Sequence, residues 1–312
     1  MNIWVAMSEQ NQSIREMFRP SEWVVLAYFS YTALMALQYP LPLPQKAAGL
    51  AVPLMLFLLG YLDSFNPRRW TSMVRDWLPA ALVLAAYWQV DWFQVNYHFE
   101  DLEHLWLGWD RFILYELGLR SGMESAGPLL PGLVEFSYLL MYVIPPFALA
   151  TFYILRKRDR IEQYAFPFLL GTLAAYALIP HFPTGSPRIE HAGIDLPGIQ
   201  TIFRQFNLWI LNHGDIHTSV FPSGHVTAAF SAAFGMVLAL PEYPWIGRCL
   251  IANASFILIA TVYGRYHYAA DGIAGLAISL SALAVTVYMR RAELADRKLK
   301  AADVVESYPE AG

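Results

Sequence analysis

Residues 245–263, WIGRCLIANASFILIATVY, and residues 270–289, ADGIAGLAISLSALAVTVYM, are two nearly uninterrupted apolar runs joined by six residues, GRYHYA (264–269). Each is close to the ~20 residues a helix needs to cross the hydrocarbon core of a bilayer. The rest of the chain has the same character. Of its 312 residues 56% are apolar or aromatic and 15% charged, against about 25% charged in a soluble domain, and the mean hydropathy is +0.36. Further apolar segments lie at about 22–39, 47–62, 77–95, 133–155, 164–180 and 221–240, which makes eight in all. Backbone groups in hydrocarbon must bond internally, and the period-2 alternation of a barrel strand is absent, so these segments are read as helices. The expected fold is an all-α polytopic membrane bundle.

Charge orients the bundle. On alternate sides of eight spans, fifteen Lys and Arg residues fall on the side that holds both termini and six fall on the other: Lys46, Arg111, Arg120, Arg188, Arg204 and Arg265. By the excess of cations on cytoplasmic loops, both termini are predicted to be cytoplasmic. The implied organisation is an N-terminal segment 1–21 with no removable signal peptide, one membrane domain 22–289, and a cytoplasmic tail 290–312 that frays from a helix end. All eight histidines fall on the opposite side or at helix ends that face it, which makes the non-cytoplasmic face the place to look for chemistry. A net charge of −4 without a block of like charges gives no footing for nucleic acid. Cys249 is the only cysteine, which excludes an internal disulfide framework and a cysteine metal cage.

Two segments on that face are long for connectors. Residues 96–131 interleave acidic and aromatic side chains at near-helical spacing, as in a helix lying in the membrane interface. Residues 181–218, rich in Pro, Gly and His, read as an irregular cover over a site.

Two short stretches carry chemistry. Ser219-Val220-Phe221-Pro222-Ser223-Gly224-His225 lies where the sixth apolar segment begins. Free amides at a helix start, Gly224 permitting close backbone approach and the Ser223 hydroxyl together suit a phosphate, with His225 beside it. A proline–serine cap with a structural histidine would read the same way. In the second stretch, Tyr263 to Gly272, His267 and Asp271 are four apart. If the last helix has begun by His267 they share a face, and the carboxylate can hold the imidazole N–H as a nucleophilic or basic histidine requires. Arg188 and Arg265, two of the six cations on the sparse side, offer forked donors to a phosphoryl group; anchoring to lipid headgroups is the other use for them. Asp91, near the outer end of the third segment between Trp88 and Trp92, is an intramembrane carboxylate and so a further candidate.

These residues resemble the type 2 phosphatidic acid phosphatase superfamily, whose signatures include PSGH and a later His-x-x-x-Asp; the resemblance spans about residues 164–289. It implies that His225 protonates the leaving group, that His267 attacks phosphorus to give a phosphohistidine, and that Asp271 orients it. The usual arginine six residues before the last histidine is replaced by Thr261, and the usual Lys-x₆-Arg-Pro motif is missing, with PTGSPR ending in Arg188 as its nearest substitute. Thr-x-Tyr followed by Arg-x-His-Tyr-x-x-Asp looks more like the inositol phosphorylceramide synthase branch, whose members transfer a lipid phospho-headgroup; Asp110-Arg111 is faintly similar to that branch too. By this analogy Arg188, Ser223, Gly224 and Arg265 bind the substrate phosphate, and the partners are a membrane lipid and a water or alcohol acceptor. No cofactor is implied. His225, His267 and Asp271 could hold Zn²⁺ in principle, but the reaction needs no metal. The alternative is a transporter or binder that holds an anionic headgroup without chemistry; such proteins often show internal repeats and broken midplane helices, whereas here the polar residues gather at one edge.

Overall fold

A computed structural model describes residues 17–65 and 69–307 of the chain. Arg15 and Arg68 of the charge count lie outside these residues, as do the side chains of Arg297, Lys298 and Lys300. The described residues form helices α1 (Pro20–Gln38), α2 (Leu43–Phe65), α3 (Arg69–Val90), α4 (Glu100–Arg111), α5 (Leu119–Glu124), α6 (Leu129–Leu140), α7 (Ile144–Ile154), α8 (Ile161–Leu178), α9 (Pro187–Glu190), α10 (Ile202–Gly214), α11 (Gly224–Ala239), α12 (Pro244–Tyr263) and α13 (Ala269–Ser307). No strand occurs among them.

Among the described residues four helical stretches are long and apolar enough to cross a membrane: Leu43–Ser64, Arg158–His181, Pro244–Tyr263 and Ala269–Asp296. A fifth is formed if α6 and α7 count as one span, but these two are bent by 70°. The expected continuous helix over 133–155 is therefore corrected to a broken one. Pro145 and Pro146 supply the reason, since they stand in the first turn of α7 and cannot donate the amides that a continuous helix would use. The tail from Arg290, expected to be a helix end, continues α13 to Ser307. The 181–218 segment, expected to be irregular, contains the 13-residue helix α10, begun by the Thr201 hydroxyl accepting from the Arg204 amide.

α11 is the centre of the molecule. Its sequence, GHVTAAFSAAFGMVLA, is apolar and small on every side, as a helix enclosed by protein must be, and it packs against α8, α12 and α13. At 16 residues it is about 24 Å long, shorter than the hydrocarbon core. Close approach sets its position: a Cβ at Gly235 would lie 2.7 Å from the Tyr164 carbonyl oxygen of α8, and one at Gly275 of α13 would lie 2.8 Å from the Ser223 carbonyl oxygen. The contact at Gly275 brings the start of α13 against the start of α11, so the two chemistry-bearing stretches meet at one end of the bundle.

The cation-rich end is joined by ion pairs. Asp76 at the foot of α3 accepts from Arg19 at 2.7 Å and from Arg158, while Arg75 reaches both Glu22 and Asp63. These contacts tie α1, α2, α3 and the α7–α8 link together.

Candidate active site

His267 and Asp271 meet, though not as two residues on one helical face. α13 begins at Ala269, so His267 stands in the turn before it. That turn is built by its backbone: the amides of Tyr266 and His267 both donate to the Thr261 carbonyl, and Arg265 adopts a left-handed φ of 64°. The His267 Nδ1 lies 3.0 Å from the Val220 carbonyl oxygen and 3.3 Å from Asp271 Oδ2. Both neighbours are acceptors, so Nδ1 carries the proton and Nε2 keeps its lone pair. Asp271 is fully buried; its Oδ2 also accepts the Tyr268 amide at 3.0 Å, and its backbone carbonyl accepts the Ser223 amide at 3.0 Å. The last bond joins the two motifs directly.

His225, in the first turn of α11, faces His267 with ring centroids 5.9 Å apart. Tyr138 of α6 stacks on it at 4.9 Å, and Tyr142 meets it edge-on. Gly224 precedes it because a Cβ there would lie 2.8 Å from the Tyr176 ring. Ser223 is buried and caps α11, its hydroxyl accepting from the Val226 amide. The cap uses the oxygen as an acceptor, which is compatible with the expected donation by its O–H; the amides at Gly224 and His225 are the helix-start donors with no partner further back in α11.

A cavity of about 640 Å³ runs from this pair. His225, His267, Gly224 and Arg188 contribute polar groups and backbone to its lining, and Ala80, Ala81, Leu84 and Trp88 of α3 with Met141, Pro145 and Pro146 at the α6–α7 bend contribute an apolar part. Arg188 is held by Asp215 at 2.9 Å and Asn212 at 3.1 Å, and Asp215 in turn accepts from the Tyr87 hydroxyl. Of the other expected residues, Ser223, Asp271 and Arg265 stand behind the cavity rather than on its surface. Arg265 is fully buried and pairs with Asp110 of α4, whose second oxygen accepts the Ala269 amide at 2.8 Å. The Arg265 Nε and the second terminal nitrogen have no hydrogen-bond partner among the described residues.

Several positioning residues were not singled out in the sequence. Glu135 of α6 is buried and receives Arg204 at 3.1 Å, the Tyr266 hydroxyl at 2.6 Å and Asn207 at 2.8 Å. Arg204 also donates to the Gly264 carbonyl at 3.0 Å. This buried network fixes the turn that bears Arg265 and His267. The available signal was a carboxylate inside an apolar run, the same one that drew attention to Asp91. Asp91 itself lies in a short 3₁₀ turn, where it accepts the His217 amide at 2.5 Å and the Thr218 hydroxyl. Residues 96–131, expected to be helical, contain α4 and α5.

Fold and site define an all-helical protein of membrane type, with a carboxylate-oriented histidine opposite a second histidine at the end of an apolar cavity. A profile of the PAP2 superfamily matches residues 109–285, more than half of the chain, and the chain belongs to that superfamily. The matched stretch takes in Asp110 and Glu135 as well as the two motifs. Over 63 residues the chain is 36% identical to a PA-phosphatase related-family protein of Dictyostelium discoideum, a match to 20% of this chain and 11% of that protein. No solved structure matches significantly. Members of the superfamily are generally phosphatases, which supports a phosphatase-like reaction on a phosphoester.

Proposed function

We propose that the protein is a membrane phosphatase or phosphotransferase acting on a lipid phosphoester through a histidine-bound phosphoryl group. The observation that carries this reading is the placement of His267: its Nδ1 faces the Val220 carbonyl and Asp271, and the ring borders the cavity opposite His225. In the reaction, the Nε2 lone pair of His267 forms the bond to phosphorus while the bond from phosphorus to the lipid alcohol breaks. The leaving oxygen takes a proton from His225. Water, or an acceptor alcohol, then gives its proton to His225 as it attacks phosphorus, and the P–N bond breaks with its electron pair returning to Nε2. Asp271 stabilises the positive ring throughout. Arg188 would exchange Asp215 for phosphate oxygens, and the amides that begin α11 with the buried charge of Arg265 would offset the negative charge.

The apolar wall along α3 and the α6–α7 bend supports a lipid rather than a soluble ester. Transfer of a phospho-headgroup, as in inositol phosphorylceramide synthase-like enzymes, is the finer form of this reading; eight crossings with both termini and the cation-rich end in the cytoplasm would set the histidines at the non-cytoplasmic face. The test is phosphate release from phosphatidic acid in detergent micelles, with and without added alcohols. Release in the wild type and loss in His267→Ala and His225→Ala at unchanged elution and melting supports the reading; full activity in either variant removes that residue from the mechanism, and headgroup binding without release in the wild type leaves only a carrier. One histidine must start neutral and the other protonated, so the rate should fall on both sides of a pH optimum.

A further inference from the structure

Six carboxylates are buried among the described residues, and five of them have a cationic or histidine partner within hydrogen-bond reach: Glu22 has Arg75, Asp76 has Arg19 and Arg158, Asp110 has Arg265, Glu135 has Arg204, and Asp271 has His267. The sixth is Glu103, in the first turn of α4 and 4% exposed. Among the described residues no Arg or Lys is paired with it, and the nearest cationic group is the His98 ring at 3.7 Å. One oxygen accepts the Gly185 amide at 2.6 Å, and a second carboxylate, Glu190 at the end of α9, is brought against it. Folding Glu190 over this point requires a bare backbone at residue 185, because a Cβ there would lie 2.1 Å from the Glu190 carboxylate oxygen. Two facing carboxylates, one of them buried, cost free energy unless a cation joins them.

The third member shows what kind of cation. His98 Nδ1 lies 3.7 Å from the Glu103 oxygen and 3.7 Å from the Glu190 oxygen. Both separations are too long for a hydrogen bond. They are close to the edge of a ligand tetrahedron, about 3.4 Å for bonds near 2.1 Å, and all three ligand atoms lie within 4.8 Å of one another. We propose that His98, Glu103 and Glu190 bind a divalent transition metal, zinc being the ion that an imidazole and two carboxylates suit. The site takes no part in phosphoryl transfer. It clamps the segment before α4 and α4 itself to the loop 183–190, where the Phe99 amide already donates to the Pro183 carbonyl at 2.9 Å. That loop carries Arg188, and its Thr184 carbonyl accepts the Val220 amide at 3.0 Å; the Val220 carbonyl is the one that faces His267. The metal therefore holds the outer cover in register with the catalytic turn.

The test uses the full chain in dodecyl maltoside with any affinity tag removed. After stripping with EDTA, the protein is incubated with Zn²⁺, desalted and assayed for bound metal, and its unfolding temperature is compared with and without the ion. About one zinc per chain and a higher unfolding temperature are expected. Both should be lost in His98→Ala and in Glu190→Gln, with affinity at least about tenfold weaker; these residues are partly exposed, so both variants should elute and hydrolyse substrate as folded protein. Absence of stoichiometric zinc in the wild type, or retention of it in both variants, would overturn the assignment. Glu103→Gln separates a metal from a simple buried-charge defect: stabilisation of the metal-free protein accompanied by loss of zinc supports the site, and undiminished zinc binding contradicts it.

Discussion

The work of the site is divided among a few side chains. His267 is oriented by two acceptors on one nitrogen, which leaves the other for phosphorus. His267→Ala should lower turnover by at least about 10⁴-fold, as removal of a nucleophile does. Asp271→Asn should cost about 10²–10⁴-fold, because an amide can present its N–H to Nδ1 and favour the wrong tautomer; steady-state rates on equal amounts of folded protein check both. Charge also matters away from the centre. Asp195, in the loop after α9, is pushed up by burial but pulled below its ordinary value of 3.8 more strongly by bonds from Arg111 at 2.8 Å and the Tyr115 hydroxyl. A carboxylate with a depressed folded pKa stabilises above its unfolded pKa and stops doing so as the pH falls through the folded one. Wild type should thus melt above Asp195→Asn at pH 6–8 (about one to three degrees for a surface pair), with the gap closing below pH ~4.

At the scale of elements, the catalytic turn between α12 and α13 is held from outside by α4, α6 and α10. Breaking the buried pair of Glu135 and Arg204 from one side leaves an uncompensated charge, so Glu135→Leu or Arg204→Met alone should destabilise by about 3–5 kcal/mol. The double variant should be less damaged than the sum of the two, which a double-mutant cycle by thermal unfolding measures. Much of this level was legible in the sequence. The apolar runs gave the helices, and the Ser-Gly-His and His-x-x-x-Asp spacings pointed to the reacting groups, because hydropathy and motif spacing are local properties. The partners of Arg265 and Tyr266 were not legible: Asp110 and Glu135 lie 155 and 131 positions away in the chain, and only packing brings them there. The break between α6 and α7 was legible in Pro145 and Pro146, whereas hydropathy alone joined the two helices. The Ser223 hydroxyl accepts from the Val226 amide as a helix cap, a use its place at a helix start allowed and one that still leaves its O–H to donate.

At the scale of the molecule, the small central helix lets α8, α12 and α13 close around it and leaves a cavity between the histidine pair and the wall of α3. If acyl chains occupy that wall, Ala81→Phe should raise KM for a long-chain phosphatidic acid at least about fivefold while hardly altering hydrolysis of a short soluble phosphoester; equal effects on both would speak against a lipid chain there. The charge asymmetry sets a second expectation. With Cys249 replaced by Ser, a membrane-impermeant maleimide applied to intact cells should label His217→Cys, which is exposed near the cavity, and spare Glu242→Cys at the opposite end between α11 and α12. The most direct measurement quenches the purified protein during turnover of phosphatidic acid labelled at phosphorus and maps the label by mass spectrometry under alkaline conditions. A base-stable, acid-labile phosphoryl group is expected on His267 and absent from His267→Ala; steady turnover with no labelled protein, or label on another residue, would contradict a His267 nucleophile.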